Sequence, residues 1–188
     1  MLRKKKTKIN WWLLALGTLV VILLASLPKE WIYNYPQMHQ DLVIKWSQQY
    51  DVNPNLVYSI IKVESNFKIR AESSKGAKGL MQIMPETGQW IAAQLGIDDF
   101  EAANLYEPDI NIQFGCWYLA SLAKEFEGRL PQVIAAYNAG RGMVSQWNEA
   151  DIWNGSLETA DNIPYKETQN YLKAVWKKYQ GYQSVNKI

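Results

Sequence analysis

Apolar residues recur at intervals of three and four positions through most of the chain after residue 37, and no segment shows the strict alternation of a strand. This pattern predicts helices at about 42–50, 54–67, 86–95, 109–126, 132–139 and 166–179. Asn53 followed by Pro54 is typical of a helix start, and glycines at positions 96, 128 and 140 end three of the helices. The sequence therefore predicts a single, mostly α domain.

The N-terminal part of the chain has a different pattern. Residues 1–10 form a basic tail, residues 11–27 are an uncharged, largely apolar run, and residues 28–40 connect this run to the domain at 41–188. Seventeen residues are at the short end of what spans a bilayer. The basic flank favours a cytoplasmic tail and an extracytoplasmic domain. We therefore expect a single-pass transmembrane helix at 11–27, which would place the protein in the cell membrane.

A cleaved signal peptide is the alternative interpretation, because it has the same basic flank and apolar middle. The residues before the end of the apolar run, Ala25-Ser26-Leu27, lack small residues at both positions that cleavage requires. We therefore favour a retained anchor, and both interpretations place the domain outside the cytoplasm.

The net charge of +2 hides an uneven distribution of charge. Five of the twenty basic residues lie in the first eight positions, and the remainder of the chain has fifteen basic against eighteen acidic residues, a net charge of about −3. No basic stripe lies outside the tail, which argues against nucleic acid as a partner.

Aromatic residues are frequent, with nine Trp and eleven Tyr. They are compatible with a well-packed helical core or with a cleft that stacks on flat ligand faces. Composition alone favours the core, because aromatic side chains dominate core burial.

The chain has one cysteine and one histidine, Cys116 and His39. A single cysteine forms neither an internal disulfide nor a multi-thiolate metal site, and its apolar surroundings predict a buried structural thiol. His39 has no partner at metal-ligand spacing, and we expect it at the surface. These counts argue against Ser-His-Asp, Cys-His and zinc chemistry, so we expect no metal site and no cofactor.

Glu64 is the residue most suggestive of chemistry. It continues the apolar stripe of the helix after Pro54, four positions after Ile60 and three before Phe67. Burial and the negative end of the helix dipole both raise the pKa of a carboxyl group, and a protonated carboxyl is what general-acid attack on a glycosidic oxygen requires. The alternative is a structural acid paired with Arg70 or Lys68 at the rim. The segment 73–85, rich in glycine and methionine, is either a ligand-binding loop or only a turn.

Four motifs in order resemble the soluble lytic transglycosylase family. They are Glu64-Ser65-Asn66-Phe67, the run Gly76-Ala77-Lys78-Gly79-Leu80-Met81-Gln82-Ile83-Met84-Pro85, Ala135-Ala136-Tyr137-Asn138-Ala139-Gly140, and Ile163-Pro164-Tyr165-Lys166-Glu167-Thr168 with Tyr171. The resemblance runs from about Leu42 to Tyr179. It implies a lysozyme-like fold of the goose type and cleavage of peptidoglycan.

The resemblance also implies roles for individual residues. Glu64 would be the catalytic acid and later the base. Six residues would bind substrate: Ser73 at the acetamido group, Gln82 and Met84 along the cleft, Tyr137 at the reacting sugar, Asn138 holding that turn, and Glu167 as a second carboxylate that binds substrate or orients Tyr137. For Tyr137 and Glu167, helix packing and capping is the alternative.

In this family, the bond between N-acetylmuramic acid and N-acetylglucosamine is cleaved with formation of a 1,6-anhydro ring. The expected partners are therefore peptidoglycan glycan strands, the membrane through the N-terminal helix, and unidentified cell-envelope machinery. Two alternatives stay open: a hydrolytic muramidase on the same fold, and a wall-binding or assembly factor without activity.

Overall fold

The structure, a computed structural model, describes residue 12, residues 16–19 and residues 35–185. The chain divides into two units, Met1–Pro36 and Gln37–Ile188. The predicted tail at 1–10, most of the predicted anchor at 11–27 and most of the connector lie outside the described residues. Among the residues that are described, no helix has both the length and the apolarity needed to cross a membrane.

The second unit is mostly α, as predicted. Its described residues form seven α-helices: α1 (Gln40–Tyr50), α2 (Pro54–Glu64), α3 (Pro85–Leu95), α4 (Pro108–Glu125), α5 (Leu130–Ala139), α6 (Arg141–Glu149) and α7 (Lys166–Val185). Short 3-10 helices occupy Ala102–Tyr106 and Ala160–Asn162. Between positions 35 and 185 there is no strand, only isolated antiparallel bridges that pair Lys78 with Glu72 and with Ile83.

Local capping explains where α2 begins. The Asn53 side chain accepts a hydrogen bond from the backbone N–H of Asn55 at 2.9 Å, and Pro54 occupies the first helical position, where no N–H is needed. The predicted start is therefore confirmed, and it sets the register that brings Glu64 to the last position of α2.

The sequence pattern missed α6 and shortened α7. Gly140 ends α5 with a φ of 89°, and α6 starts at the next residue. Because glycine adopts this backbone angle without a steric penalty, the chain turns sharply between two helices with no intervening loop. The last helix continues past the predicted end at Tyr179 to Val185.

The core forms where α2 packs against α7, and α5 packs on α7 as well. Val57, Ile60 and Ile61 of α2 are fully buried, as are Leu172 and Val175 of α7. This packing is stabilised by the hydrophobic effect, and it brings the C-terminal end of α2 beside the first turns of α7.

The two single-copy residues, Cys116 and His39, both lie in the described part of the chain. Cys116 is buried, and burial raises the pKa of its thiol to about 12, which confirms the prediction of a structural thiol. His39 immediately precedes α1 with a φ of 59°, and its intermediate exposure is compatible with the expected surface position.

Candidate active site

One cavity of about 420 Å³ brings together every site residue predicted from the sequence. It opens between the end of α2, the loop at 71–83, the end of α5 and the start of α7. The residues that line it are Glu64, Ser73, Ser74, Lys75, Ala77, Gln82, Met84, Tyr137, Asn138 and Glu167.

Glu64 is partly buried at the inner wall of this cavity. Burial raises the pKa of its carboxyl to about 7, and the negative charge of Glu167 acts in the same direction. A hydrogen bond from Tyr171 opposes both influences by stabilising the carboxylate. A large fraction of the Glu64 carboxyl is therefore protonated near neutral pH, while an ordinary exposed glutamate is ionised.

Tyr171 is the direct partner of Glu64. Its hydroxyl, on α7, donates to Oε1 of Glu64 at 2.7 Å. Burial raises the pKa of Tyr171 well above its ordinary value, so the hydroxyl keeps its proton and acts as a donor. The sequence placed Tyr171 on the inner face of the last helix and did not assign it to the site. The available signal was its spacing of four residues from Glu167, which puts both on one helix face.

The loop that carries Ser73 is folded back on itself. The backbone N–H of Ala77 donates to Oγ of Ser73 at 3.0 Å, and the N–H of Ser73 donates to the carbonyl of Ala77 at 3.0 Å. Gly76 completes the turn with a φ of 87°. The turn fixes the position of the Ser73 hydroxyl at the cavity wall.

Asn111 of α4 holds the next part of this loop, and the sequence gave no indication of this role. Its Oδ1 accepts from the N–H of Met81 at 2.7 Å, and its Nδ2 donates to the carbonyls of Lys78 and Leu105 at 3.0 and 2.7 Å. Asn111 is fully buried, so these bonds replace water completely. A side chain at Gly79 would place its Cβ 2.1 Å from the Leu105 carbonyl oxygen.

Gln82 combines a position on the cavity wall with a structural role. Its Nε2 donates to the carbonyls of Ala71 and Gly79 at 3.1 and 2.9 Å. Its own backbone has a φ of 48°, an angle uncommon for a residue with a side chain. The hydrogen bonds of the Gln82 side-chain amide therefore stabilise the turn. This turn places Met84, which is 36% exposed, at the wall of the same cavity.

Tyr137 and Asn138 lie at the end of α5. The Tyr137 hydroxyl donates to the carbonyl of Met81 at 2.9 Å, and burial raises its pKa well above the ordinary value. Oδ1 of Asn138 accepts from the Thr168 hydroxyl at 2.7 Å, which ties the end of α5 to the start of α7.

Glu167 is the second carboxylate of the cavity. Its Oε2 lies 3.4 Å from Nζ of Lys75, and both side chains are largely exposed. An exposed pair of this kind contributes little stability. Of the two roles expected for Glu167, orienting Tyr137 receives no support, because the hydroxyl of Tyr137 is directed to Met81.

This mostly helical domain, with a carboxyl group of raised pKa at a helix end in a cleft lined by polar and aromatic residues, has the features of the lysozyme-like class of folds. Comparison with known proteins agrees. A sequence model of the Transglycosylase SLT domain matches residues 41–158, and the chain belongs to this family. It is 31% identical over 169 residues to the soluble lytic murein transglycosylase of Salmonella typhimurium, across 88% of this chain. It is 35% identical over 162 residues to membrane-bound lytic murein transglycosylase C of Actinobacillus pleuropneumoniae, across 75% of this chain.

Solved structures share the fold. The 70 kDa soluble lytic transglycosylase of Escherichia coli superposes with a TM-score of 0.78 at 26% identity, across 93% of this chain and 28% of that one. An inactive mutant of lytic transglycosylase Slt from Pseudomonas aeruginosa gives 0.76 at 28% identity, across 91% of this chain and 28% of that one. The chain spans only 26% of the Salmonella relative and 44% of the Actinobacillus relative.

Proposed function

We propose that this protein is a peptidoglycan lytic transglycosylase that cleaves between N-acetylmuramic acid and N-acetylglucosamine. The observation that carries the proposal is the pKa of Glu64, raised to about 7 within a cleft, which makes a proton available near neutral pH. The family membership and the printed functions of the relatives support it. The Pseudomonas aeruginosa structure is of an inactive glutamate-to-glutamine mutant, and we expect Glu64 to be the counterpart of that glutamate.

The proposed reaction needs one carboxyl group. Glu64 donates its proton to the glycosidic oxygen as the bond from that oxygen to C1 of the muramic acid breaks. The substrate's own N-acetyl oxygen stabilises the positive charge at C1. Glu64, now a carboxylate, removes the proton of the C6 hydroxyl, whose oxygen bonds to C1 and closes the 1,6-anhydro ring. No water is consumed, and the attack within one ring has a large entropic advantage over capture of water.

The other residues predicted for the site are proposed to bind and orient the glycan, and Tyr171 is proposed to support Glu64. Tyr171 keeps the Glu64 carboxyl in place through its hydrogen bond. The remaining roles are those expected from the family resemblance: Ser73 at the acetamido group, Gln82 and Met84 along the cleft, Tyr137 at the reacting sugar, Asn138 holding that turn, and Glu167 as a second carboxylate that binds substrate.

Replacement of the acid tests this proposal. Glu64→Gln keeps the shape of the side chain and cannot donate the required proton, so cleavage of purified sacculi should fall by at least about a hundredfold. Soluble fragments released per minute are the readout. Residual activity above a tenth of the wild-type rate would show that Glu64 is not the acid.

The same variant carries its own control for folding. The Glu64 carboxyl has a higher pKa in the folded chain (about 7) than its ordinary value of 4.5, so the stability it contributes is lost as pH rises through this window. Glutamine does not titrate. As pH rises from 4.5 to 7, the free energy of unfolding of Glu64→Gln should therefore increase relative to that of wild type, by up to about 3 kcal/mol, as measured by urea unfolding. If Glu64→Gln is inactive and also shows this increase in relative stability, unfolding is excluded as the cause of its inactivity.

We also propose that residues 11–27 anchor the domain on the extracytoplasmic face of the cell membrane. The basic tail and apolar run support this, as does a relative described as membrane-bound. The protein should sediment with membranes, resist carbonate extraction and begin at its initiating residue. A soluble product beginning near Pro28 would instead establish signal-peptide cleavage.

A further inference from the structure

The groove continues beyond the cavity that holds Glu64. That cavity shares four lining residues with a neighbouring cavity of about 200 Å³: Gln82, Met84, Tyr137 and Asn138. The neighbour in turn shares Thr87 and Tyr118 with a third cavity of about 360 Å³. The three cavities therefore adjoin one another in a row, and this row, which we call the groove, runs from Glu64 to the third cavity, which the proposed reaction does not use.

Trp90 of α3 lies at the far end of this groove and is 40% exposed. Its ring centroid lies 5.1 Å from that of Trp117 and 6.3 Å from that of Tyr118, with the planes nearly perpendicular at 74° and 87°. Edge-to-face contacts on two sides hold an indole in a fixed orientation. Trp90 is thus a rigid aromatic surface that remains open to solvent.

Arg141, the first residue of α6, fixes the other side of this surface. Its guanidinium lies 5.2 Å from the ring centroid of Trp90 and 5.5 Å from that of Tyr118. Nη1 pairs with Glu125 at 3.0 Å, and Nη2 donates to the Ser121 hydroxyl at 2.9 Å. These bonds hold the guanidinium in place and neutralise its charge.

The charges around Trp90 favour an uncharged ligand. The guanidinium is already paired with a carboxylate, and Glu86 adds another acidic side chain to the wall of the third cavity. An anionic ligand would meet a net negative surface there. A pyranose ring has a flat apolar face of C–H groups and hydroxyl groups at its edge, which matches an indole face with polar neighbours.

We propose that Trp90 is a distal sugar-binding platform, on which an N-acetylhexosamine ring of the same glycan strand stacks while Glu86 and Thr87 face its polar edge. This inference rests on the proposed function, because it assigns the groove to a glycan. It predicts that the enzyme binds long strands better than short ones, since only a long strand occupies the Glu64 cavity and Trp90 together.

Chitin oligosaccharides of defined length test the platform by titration calorimetry in the Glu64→Gln background, where they are not consumed. The gain in affinity from trisaccharide to hexasaccharide should fall about tenfold when Trp90→Ala is added, and less with Trp90→Phe, which keeps an aromatic ring. Trp176→Ala is the matched control, because Trp176 is a partly buried tryptophan of α7 that lines none of the three cavities. It should leave the gain unchanged.

The outcomes separate this inference from the proposed function. If the gain in affinity from trisaccharide to hexasaccharide is unchanged in folded Trp90→Ala protein, Trp90 is not a sugar-binding platform, whether or not the wild-type enzyme cleaves sacculi. A loss seen only with peptide-bearing wall fragments overturns the assignment to a sugar. If the length-dependent loss occurs but wild-type protein fails to cleave sacculi, the platform stands and the proposed reaction fails.

Discussion

At the scale of single residues, the Glu64 carboxyl is subject to influences of opposite sign. Burial and the charge of Glu167 raise its pKa, while the hydrogen bond from Tyr171 lowers it. The balance at about 7 lets one group first donate and then accept a proton. A stronger hydrogen bond to the carboxylate would lower the pKa, so less of Glu64 would carry the proton near neutral pH. A drier site would raise the pKa, so less of Glu64 would be the free carboxylate.

Two substitutions should move this balance in opposite directions. Tyr171→Phe removes the bond that favours the carboxylate, so the pKa of Glu64 should rise and the alkaline limb of kcat/KM should shift to higher pH. Glu167→Gln removes a negative charge, so the same limb should shift to lower pH. The measurement is cleavage of sacculi between pH 5 and 9. Shifts of the same sign in both variants would contradict this account.

The position of Glu64 on an apolar helix face is a local pattern, which made it a candidate, and the family resemblance then assigned it the role of the acid. The hydrogen bond from Tyr171 joins residues 107 positions apart, and the bond from Met81 to Asn111 spans 30. No periodicity within one helix reports such contacts. The resemblance supplied Gln82 and Glu167 as motif positions and Ser73 by its place between the first two motifs, and the structure adds that all three line the same cavity.

At the scale of elements, the loop at 71–83 depends on α4 for its shape. Asn111 bonds to the loop on both sides of Gly79, and Gly115 leaves room for Met81, whose Sδ lies 2.1 Å from where a Cβ would be. The loop has no regular secondary structure of its own beyond two isolated bridges. Its conformation is therefore stabilised both by hydrogen bonds within the loop and by the buried residues of α4 that contact it.

Loss of the Asn111 amide should destabilise the domain. Asn111→Ala leaves the Met81 N–H and the carbonyls of Lys78 and Leu105 buried without this partner, which should cost about 2–4 kcal/mol in urea unfolding. Cleavage should fall as well, because the loop positions Gln82 and Met84. Asn170→Ala, at an exposed site of α7, is the matched control and should change stability by no more than about 0.5 kcal/mol. A loss below this value in Asn111→Ala would show that α4 does not hold the loop.

The predicted helices were largely correct because their boundaries have local chemistry, such as the Asn53 cap and the glycines at helix ends. The start of α6 was missed because the pattern identified Gly140 only as the residue that ends α5, whereas it is also the N-cap of α6. Two helices joined by a single residue leave no polar loop for the pattern to show. The same junction places Arg141 beside Trp90. This part of the groove could therefore not be predicted from the sequence pattern either.

At the scale of the whole molecule, one helical domain supplies the complete candidate cleft. The walls come from α2, α5, α7 and the loop held by α4, and the groove extends toward α3 and α6. The match to relatives covers a minor part of their length. This domain is therefore shared with longer proteins, and we expect the proposed activity to reside in it.

The most direct test of the account is the chemistry of the new ends released from peptidoglycan. Purified sacculi are digested with the protein in heavy-oxygen water, and the fragments are analysed by mass spectrometry. The account predicts 1,6-anhydro ends, one water lighter than hydrolytic ends and free of label, since the C6 hydroxyl attacks C1 instead of water. Label in most of the new reducing ends would contradict it and establish a hydrolytic muramidase.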